Sequence, residues 1–170
     1  TFQNDRTMRL KRIDLHIHTL ASPLDDSFSF EPRVLEEHVR HNKLDAIAIT
    51  NHNRFDLQNF QEACKAVPDN VVVFPGVEVS IKGFHALVLS NGKDIEAFNR
   101  VCDELPETQQ GDEGISLEEF MRLFGNGSYI IIPHYKKKPS VPSSDLEALG
   151  NLVTALEVSS EKKWEYEHRR

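Results

Sequence analysis

The sequence lacks most features that mark secreted, membrane or nucleic-acid-coating proteins. Its 170 residues include only two cysteines, Cys64 and Cys102, which argues against a disulfide scaffold and favours a reducing cytoplasm. No apolar run approaches the roughly 20 residues that a bilayer-spanning helix needs, and residues 1–12 lack the apolar stretch of a secretory signal. The net charge of −7 argues against a basic coat protein, but metal ions can still supply positive charge to a phosphate site. We therefore expect a cytoplasmic protein without a membrane partner.

Internal repeats and low-complexity segments are also missing, and strand-like stretches alternate with helix-like ones. The strand-like stretches are 12–18, 46–52, 71–79, 85–90, 129–134 and 153–158. The helix-like stretches are 31–42, 54–66, 94–104, 116–124 and 161–170, and residues 139–144 read as a loop. This alternation predicts an α/β fold. We divide the chain into an N-terminal extension or expression remnant, residues 1–11, and one domain, residues 12–170.

Potential metal ligands lie at the ends of these strands. Residues two apart on a strand share a face, so Asp14 is in phase with His16 and His18, and Glu157 is in phase on the sixth stretch. Barrel enzymes place their chemistry at the carboxyl ends of their strands. The pattern predicts that these side chains meet there, with Asp14 either orienting an imidazole or making an ordinary buried hydrogen bond.

The eight histidines fall into two groups. Five belong to strands or strand ends, namely His16, His18, His52, His85 and His134. The other three, His38, His41 and His168, have charged, helix-like surroundings and are expected to be solvated. A lone strand histidine is usually a hydrogen-bonded core residue, but five buried imidazoles together with Glu78 need partners that metal ions supply at once.

Several segments resemble motifs of the PHP superfamily, which is named for polymerases and histidinol phosphatases. Residues 14–19 (Asp-Leu-His-Ile-His-Thr) resemble its first motif, and residues 50–53 (Thr-Asn-His-Asn) resemble its second. Residues 76–80, which contain Glu78, resemble the segment whose glutamate bridges two metals, and His85 and His134 match two later ligand positions. The resemblance spans residues 13–158, and the motifs follow the order of the family.

This resemblance implies a distorted seven-stranded, TIM-like β/α barrel that holds two or three divalent ions, Mn, Fe or Zn. It implies metal binding by the following residues: His16, His18, Asp25, His52, Glu78, His85 and His134. Catalytic roles would fall to Glu78 and His52. Lys136 and Lys137 follow His134 and are candidates for binding substrate phosphate, although charge runs are more often solvated loops.

The chain also departs from the family pattern. Asn51 stands where the second motif usually has aspartate, Pro133 precedes His134 instead of following it, and the Asp-x-His pair of a last strand is missing. We therefore expect either the N-terminal part of a longer protein or a natural variant with fewer ligands. The first is favoured, because the final helix-like stretch ends without a stop signal.

The expected function is hydrolysis of phosphoesters by a metal-activated water. We favour a nuclease module of a multidomain protein acting on DNA or RNA, since PHP domains resembling this one occur joined to ATPase domains. One alternative is a phosphatase for a small molecule such as histidinol phosphate, and another is a non-catalytic, metal-stabilised interaction module. An amidohydrolase-like barrel shares the His-x-His opening but would want a metal-bridging lysine, and no strand-end lysine is evident in the sequence.

Overall fold

Five strands and five helices make up the part of the chain that the computed structural model describes, residues 10–24, 28–107 and 114–158. The strands are β1 (Ile13–Ile17), β2 (Ala46–Ile49), β3 (Val72–Ile81), β4 (Phe84–Ser90) and β5 (Tyr129–Pro133). The helices are α1 (Pro32–Asn42), α2 (Leu57–Ala66), α3 (Ile95–Cys102), α4 (Leu117–Phe124) and α5 (Ser143–Leu149), the last followed by a 3₁₀ turn, Gly150–Leu152. The predicted α/β class is confirmed.

The strands form one open mixed sheet in the order β1-β2-β3-β4-β5. The first three strands are parallel, whereas β4 is antiparallel to both β3 and β5. The predicted seven-stranded β/α barrel is therefore wrong. Only Lys82 and Gly83 separate β3 from β4, and a parallel crossover needs a dozen or more residues. Gly83, with a φ of 90°, supplies the left-handed backbone that turns the chain straight back.

The sixth predicted strand, 153–158, is not a regular strand. It is attached to β5 by two isolated parallel bridges, Ile131 to Val153 and His134 to Glu157. The backbone N–H of Glu157 donates to the oxygen of Pro133 at 3.0 Å, and the N–H of Tyr135 donates to the oxygen of Glu157 at 2.7 Å. The segment is thus fixed at the carboxyl end of β5, where it can carry a functional side chain.

Several boundaries also differ from the prediction, among them those of α2 and α5. Helix α2 begins at Leu57 rather than at residue 54, because the side chain of Asp56 caps it by accepting from the N–H of Asn59 at 2.9 Å. Residues 143 and 144 belong to α5 rather than to the predicted loop. The helix-like stretch 161–170 lies outside the described residues. Within those residues, no helix combines the length and the apolar character that crossing a membrane would require.

The sheet has an apolar side that faces the helices and a second side that carries the candidate site. The larger core unites residues of alternate strand positions with residues of the helices: Ile47, Ile49, Val77, Val79, Ala86, Val88, Ile131, Phe60, Phe98, Phe120 and Phe124. A smaller apolar cluster covers the other side: Ala48, Leu87, Leu89 and Ile132, with Leu15 and Phe74 packed against it. Because side chains alternate along a strand, the residues in phase with this smaller cluster lie on the candidate site's side.

Candidate metal centre

The site lies beyond the smaller apolar cluster, at the end of the sheet where β2 and β5 terminate. His52 and His134 come just after β2 and β5, and Glu78 pairs with Leu87 in the β3–β4 ladder. His85 lies near the start of β4, not at its end, and reaches the same end of the sheet because β4 runs antiparallel to β3. Parallel and antiparallel strands therefore deliver their polar side chains to one place.

A bulge in β1 brings two more histidines to this end of the sheet. Asp14 pairs with Ile47, whereas Ile17 pairs with Ile49, so that β1 has one residue more than β2 between the two pairs. A bulged strand re-aims the side chains around the extra residue. As a result Leu15 packs against the smaller apolar cluster, while Ile17 packs against the larger one.

The bulge also overturns the predicted phase of Asp14. Its Oδ2 lies 2.9 Å from Nε2 of His38 on α1, and its Oδ1 accepts the backbone N–H of His16 at 3.2 Å. Asp14 therefore does not orient an imidazole ring of the site. His38 has this one carboxylate partner and a side chain that is 42% exposed, and His41 is exposed as predicted.

The Glu78 carboxylate occupies the centre of the site and is 2% exposed. Its Oε2 lies 2.8 Å from Nε2 of both His16 and His18, and its Oε1 lies 2.8 Å from Nδ1 of His85. Two further ring nitrogens approach it, Nδ1 of His52 at 3.4 Å and Nε2 of His134 at 3.3 Å. One carboxylate thus contacts all five histidines that the sequence singles out.

The five imidazoles form a closed ring of contacts around this carboxylate. Going round from His16 to His18, His52, His85, His134 and back to His16, the ring centroids lie 5.0, 4.5, 5.5, 5.5 and 5.4 Å apart. The residues come from four strands and span more than a hundred positions of the sequence. Such convergence is the arrangement that a shared ligand would require.

A second carboxylate, Glu157, lies at the rim of the site. Its Oε1 is 2.9 Å from Nδ1 of His16, and its Oε2 is 3.0 Å from Nε2 of His134. Its strand phase is visible in the sequence, but Glu157 was not among the predicted metal ligands. The sequence feature that could have identified Glu157 as a site residue is its position in phase with Val153. The structure shows that the stretch containing both residues is bridged to β5.

Of the two lysines predicted to bind phosphate, only Lys137 lies at the site. Its Nζ is 2.7 Å from Oε1 of Glu157 and 2.7 Å from Nδ1 of His16. Lys136 is exposed, and its Nζ lies 5.1 Å from the ring centroid of Tyr135. Asp25, the remaining predicted ligand, lies outside the described residues.

The two carboxylates and His16 control each other's protonation. Burial alone would raise the pKa of Glu78, but hydrogen bonds from three histidines outweigh it and hold that pKa far below its usual range. Burial likewise would raise the pKa of Glu157, and hydrogen bonds from His134, His16 and Lys137 lower it instead. For His16, burial lowers the pKa, and the two carboxylates raise it to about 9. Both carboxylates are thus ionised at neutral pH and demand nearby positive charge.

A proton on Nδ1 of His16 and the Lys137 ammonium compete for the same space. At 2.7 Å the ammonium can donate to Nδ1 only while that nitrogen carries no proton. When His16 is protonated, the ammonium must withdraw from Nδ1 and keep its contact with Oε1 of Glu157. The rim therefore holds either one of two cations close to Nδ1, but not both.

These residues fit divalent metal ions. Three groups bring ligand atoms within 4.8 Å of one another: His16, His18 and Glu78; His52, Glu78 and His85; and His16, His134 and Glu157. Nδ1 of His134 is buried without a hydrogen-bond partner among the described residues, which is costly unless some other partner binds it. Mixed imidazole and carboxylate donors suit Zn, Mn and Fe alike.

Asn51 supports the site instead of binding metal. Its Oδ1 accepts the backbone N–H groups of Thr19 at 2.7 Å and Leu20 at 2.9 Å, directly after His18. Its Nδ2 donates to Oδ1 of Asn59 at 3.3 Å, a bond that an aspartate could not make. Asn51 therefore has a structural role, since it fixes the chain that follows β1.

Two cavities adjoin the histidines. One of about 550 Å³ is lined by His16 and His18 and by apolar side chains such as Phe30 and Leu35. The other, of about 560 Å³, is lined by His52 and includes Arg54. Either cavity is large enough for a small organic molecule.

No protein-family model and no curated protein matches the sequence. Solved structures of similar fold include the following two. A protein from Bifidobacterium adolescentis, designated by inference a metal-dependent phosphoesterase, aligns with a TM-score of 0.55 and 13% identity over 93% of this chain and 82% of its own. An amidohydrolase from Chromobacterium violaceum, solved with sulfate and without metal, aligns with a TM-score of 0.50 and 13% identity over 85% and 76% of the two chains. At this identity the likeness concerns the fold alone.

Proposed function

We propose that this chain is a metal-dependent hydrolase of phosphoesters, of the PHP type that its motifs resemble. The observation that carries the proposal is the position of Glu78. Its two carboxylate oxygens contact different histidines, Oε2 with His16 and His18 and Oε1 with His85. A carboxylate held in this way is suited to bridge two ions. The fold shared with a protein designated a metal-dependent phosphoesterase supports the same reading.

The ligand set in this proposal comprises His16, His18, His52, Glu78, His85 and His134, and Glu157 contacts two of these histidines at the rim. Bound ions supply a nucleophilic water at neutral pH and stabilise charge on the phosphoryl oxygens. The chain's own residues do the positioning: the sheet fixes Glu78, and Asn51 fixes the segment after His18 by accepting two backbone N–H groups. Nδ1 of His52 lies 3.4 Å from Glu78, so His52 acts here as a ligand at the centre rather than as a separate base.

The favoured substrate is a nucleic-acid diester. A diester carries an alcohol group on each side of its phosphate, and the site adjoins two separate cavities of about 550 and 560 Å³. A small monoester would need only one of them. The ATPase-linked, multidomain parent remains a prediction, which the gene sequence on either side of this chain would test.

The decisive experiment compares hydrolysis of a diester, bis-nitrophenyl phosphate, with that of a monoester, nitrophenyl phosphate, and with degradation of single-stranded DNA. Each is measured with Mn²⁺ or Zn²⁺ on the wild type, on Glu78→Gln and on Glu62→Gln, whose exposed carboxylate on α2 is a matched control. We expect cleavage of the diester and DNA by the wild type and the control, and none by Glu78→Gln.

Other outcomes would select the alternatives. Turnover of the monoester alone would indicate a small-molecule phosphatase. Metal uptake that depends on Glu78 without any turnover would indicate a non-catalytic, metal-stabilised module. Cleavage that Glu78→Gln leaves unchanged would contradict the proposal.

Hydrolysis of amides is a second candidate, favoured by the fold shared with an amidohydrolase and by the presence of Lys137 in the site. The position between two metal groups is, however, taken by Glu78, which belongs to both. The same three proteins can be tested on a panel of N-acyl amino acids. If the chain is an amidohydrolase, the wild type and Glu62→Gln will cleave these amides and not the phosphoesters, and Glu78→Gln will cleave neither.

A further inference from the structure

The third metal-type group of the site already contains a cation. His16, His134 and Glu157 bring their ligand atoms together as the other two groups do. This group differs in its carboxylate, because the ammonium of Lys137 lies 2.7 Å from Oε1 of Glu157 and 2.7 Å from Nδ1 of His16. The ammonium therefore contacts two of the three side chains that a metal ion would need.

We propose that Lys137 serves as the resident cation of this third group and keeps it closed to divalent metal. The chain then takes up two ions, both at Glu78, while the lysine neutralises Glu157. This inference rests on the proposed function only in assuming the two ions at Glu78. It assigns Lys137 a role in setting how many metals bind, instead of the role in binding substrate phosphate that the sequence suggested.

The backbone around Lys137 holds its ammonium in place. The turn that carries it is fastened on both sides: the N–H of Lys136 donates to Oγ of Ser140 at 2.9 Å, and the N–H of Val141 donates to the oxygen of His134 at 2.8 Å. The N–H of Tyr135 donates to the backbone oxygen of Glu157 at 2.7 Å. Backbone hydrogen bonds therefore hold the segment of Lys137 next to the segment of Glu157. Little conformational entropy is lost when the two side chains form their ion pair.

A divalent ion could enter this group only by displacing the ammonium. The ion would need a lone pair of Glu157, and the ammonium contacts Oε1 of that carboxylate at 2.7 Å. A divalent ion and an ammonium within contact distance of each other repel strongly in a partly buried site, so they would not share this space. At His16 the ammonium reaches only Nδ1, whereas Nε2 of the same ring contacts Glu78, so the two groups that contain Glu78 stay open to metal.

The test counts bound metal. Wild type, Lys137→Met, Lys137→Arg and Lys138→Met are saturated with Mn²⁺, dialysed against metal-free buffer and analysed for metal per chain. Methionine keeps the length of lysine without its charge, arginine keeps the charge, and Lys138 is an exposed neighbour. We expect two ions in the wild type, in Lys137→Arg and in Lys138→Met, and three in Lys137→Met.

The result separates this inference from the proposed function. Three ions in the wild type, or equal counts in the wild type and Lys137→Met, would overturn the role of Lys137. One ion in Lys137→Met with none in the wild type would support that role and refute the ions at Glu78. Absence of metal from every variant would refute both. Circular dichroism checks that each variant folds, and Lys137→Gln replaces Lys137→Met if the latter does not.

Discussion

The centre and the rim of the site use the same kinds of residue in different ways. At the centre, Glu78 lies on the middle strand of the sheet, pairs with Leu87 on one side and bridges His52 on the other, and is 2% exposed. At the rim, Glu157 is held by two isolated bridges and its side chain is 21% exposed. Backbone support therefore differs between the two carboxylates: Glu78 is fixed on both sides, whereas Glu157 is fixed on one side and has the Lys137 ammonium as a partner.

The largest effect should follow from removing the charge at the centre. Glu78→Gln keeps the shape of the side chain but loses the anion that contacts three histidines at 2.8 Å. We expect Mn²⁺ content to fall to less than one ion per chain and hydrolysis to fall by about 10²–10³-fold or more. Elemental analysis and initial rates check this, and retention of two ions would show that the centre does not depend on Glu78.

The acidity of the solution should change metal affinity through His16, which links centre and rim. Its Nε2 contacts Glu78 and its Nδ1 contacts Glu157, and in the metal-free chain the two carboxylates raise its pKa to about 9. Metal must displace this proton, so the apparent affinity should rise by up to about 100-fold between pH 7 and 9 and level off above. Anaerobic Mn²⁺ titrations across this range would measure it, and a flat profile would refute it.

The same shift predicts how the metal-free fold responds to pH. A raised pKa for His16 stabilises the folded state fully below the unfolded value of about 6.5, and this contribution is lost as the pH rises through about 9. Thermal melts of the metal-free chain should therefore show a falling melting temperature between pH 6.5 and 9. His16→Ala should lose this dependence, and an unchanged slope in that variant would assign it to another group.

A smaller effect should follow at the rim. Glu157→Gln removes the partner of His134 and Lys137 but leaves the Glu78 contacts intact. We expect metal affinity to fall by about 10-fold, well below the loss for Glu78→Gln, because neighbours that orient ligands typically contribute about 10–100-fold. Parallel Mn²⁺ titrations of the two variants measure the ratio, and equal losses would remove the distinction between centre and rim.

The smallest effect should come from a histidine–carboxylate pair outside the site. His38 and Asp14 lie 2.9 Å apart with side chains 42% and 33% exposed. Exposed pairs of this kind typically contribute about 1 kcal/mol or less, so His38→Ala should lower the free energy of unfolding by no more than that and leave metal content unchanged. Urea denaturation and elemental analysis test both statements. A loss of metal would mean that the site extends to α1.

The position of the candidate ligands along the chain could be read from the sequence because period-two alternation is a local property. His16, His18, His52, Glu78, His85 and His134 all lie at one end of the sheet, and these are residues that the motif resemblance grouped together. The signal for the β3–β4 hairpin was also present. Too few residues separate the predicted third and fourth strands to hold a crossover helix. This short connection already indicated a hairpin, which is incompatible with the β/α barrel that we expected.

Other features could not be predicted, because they depend on pairing between distant segments. The bulge that turns Asp14 toward His38 exists only in the register of β1 on β2. The place of Glu157 depends on its bridge to His134, and a stretch with two isolated bridges has no strong pattern of its own. The hydrogen bonds of Asn51 to Thr19 and Leu20 join residues about thirty positions apart. Sequence alone therefore could not show that an asparagine at this position has a structural role.

The bulge in β1 has a consequence for the behaviour of the protein in concentrated solution. Among the described residues β1 is an edge of the sheet, and Ile13 on it is 56% exposed. A regular apolar edge strand offers unpaired backbone groups to another chain and promotes aggregation. The extra residue between Asp14 and Ile17 interrupts that row of donors and acceptors, so the irregularity that aims His16 at Glu78 also discourages edge-to-edge association between molecules.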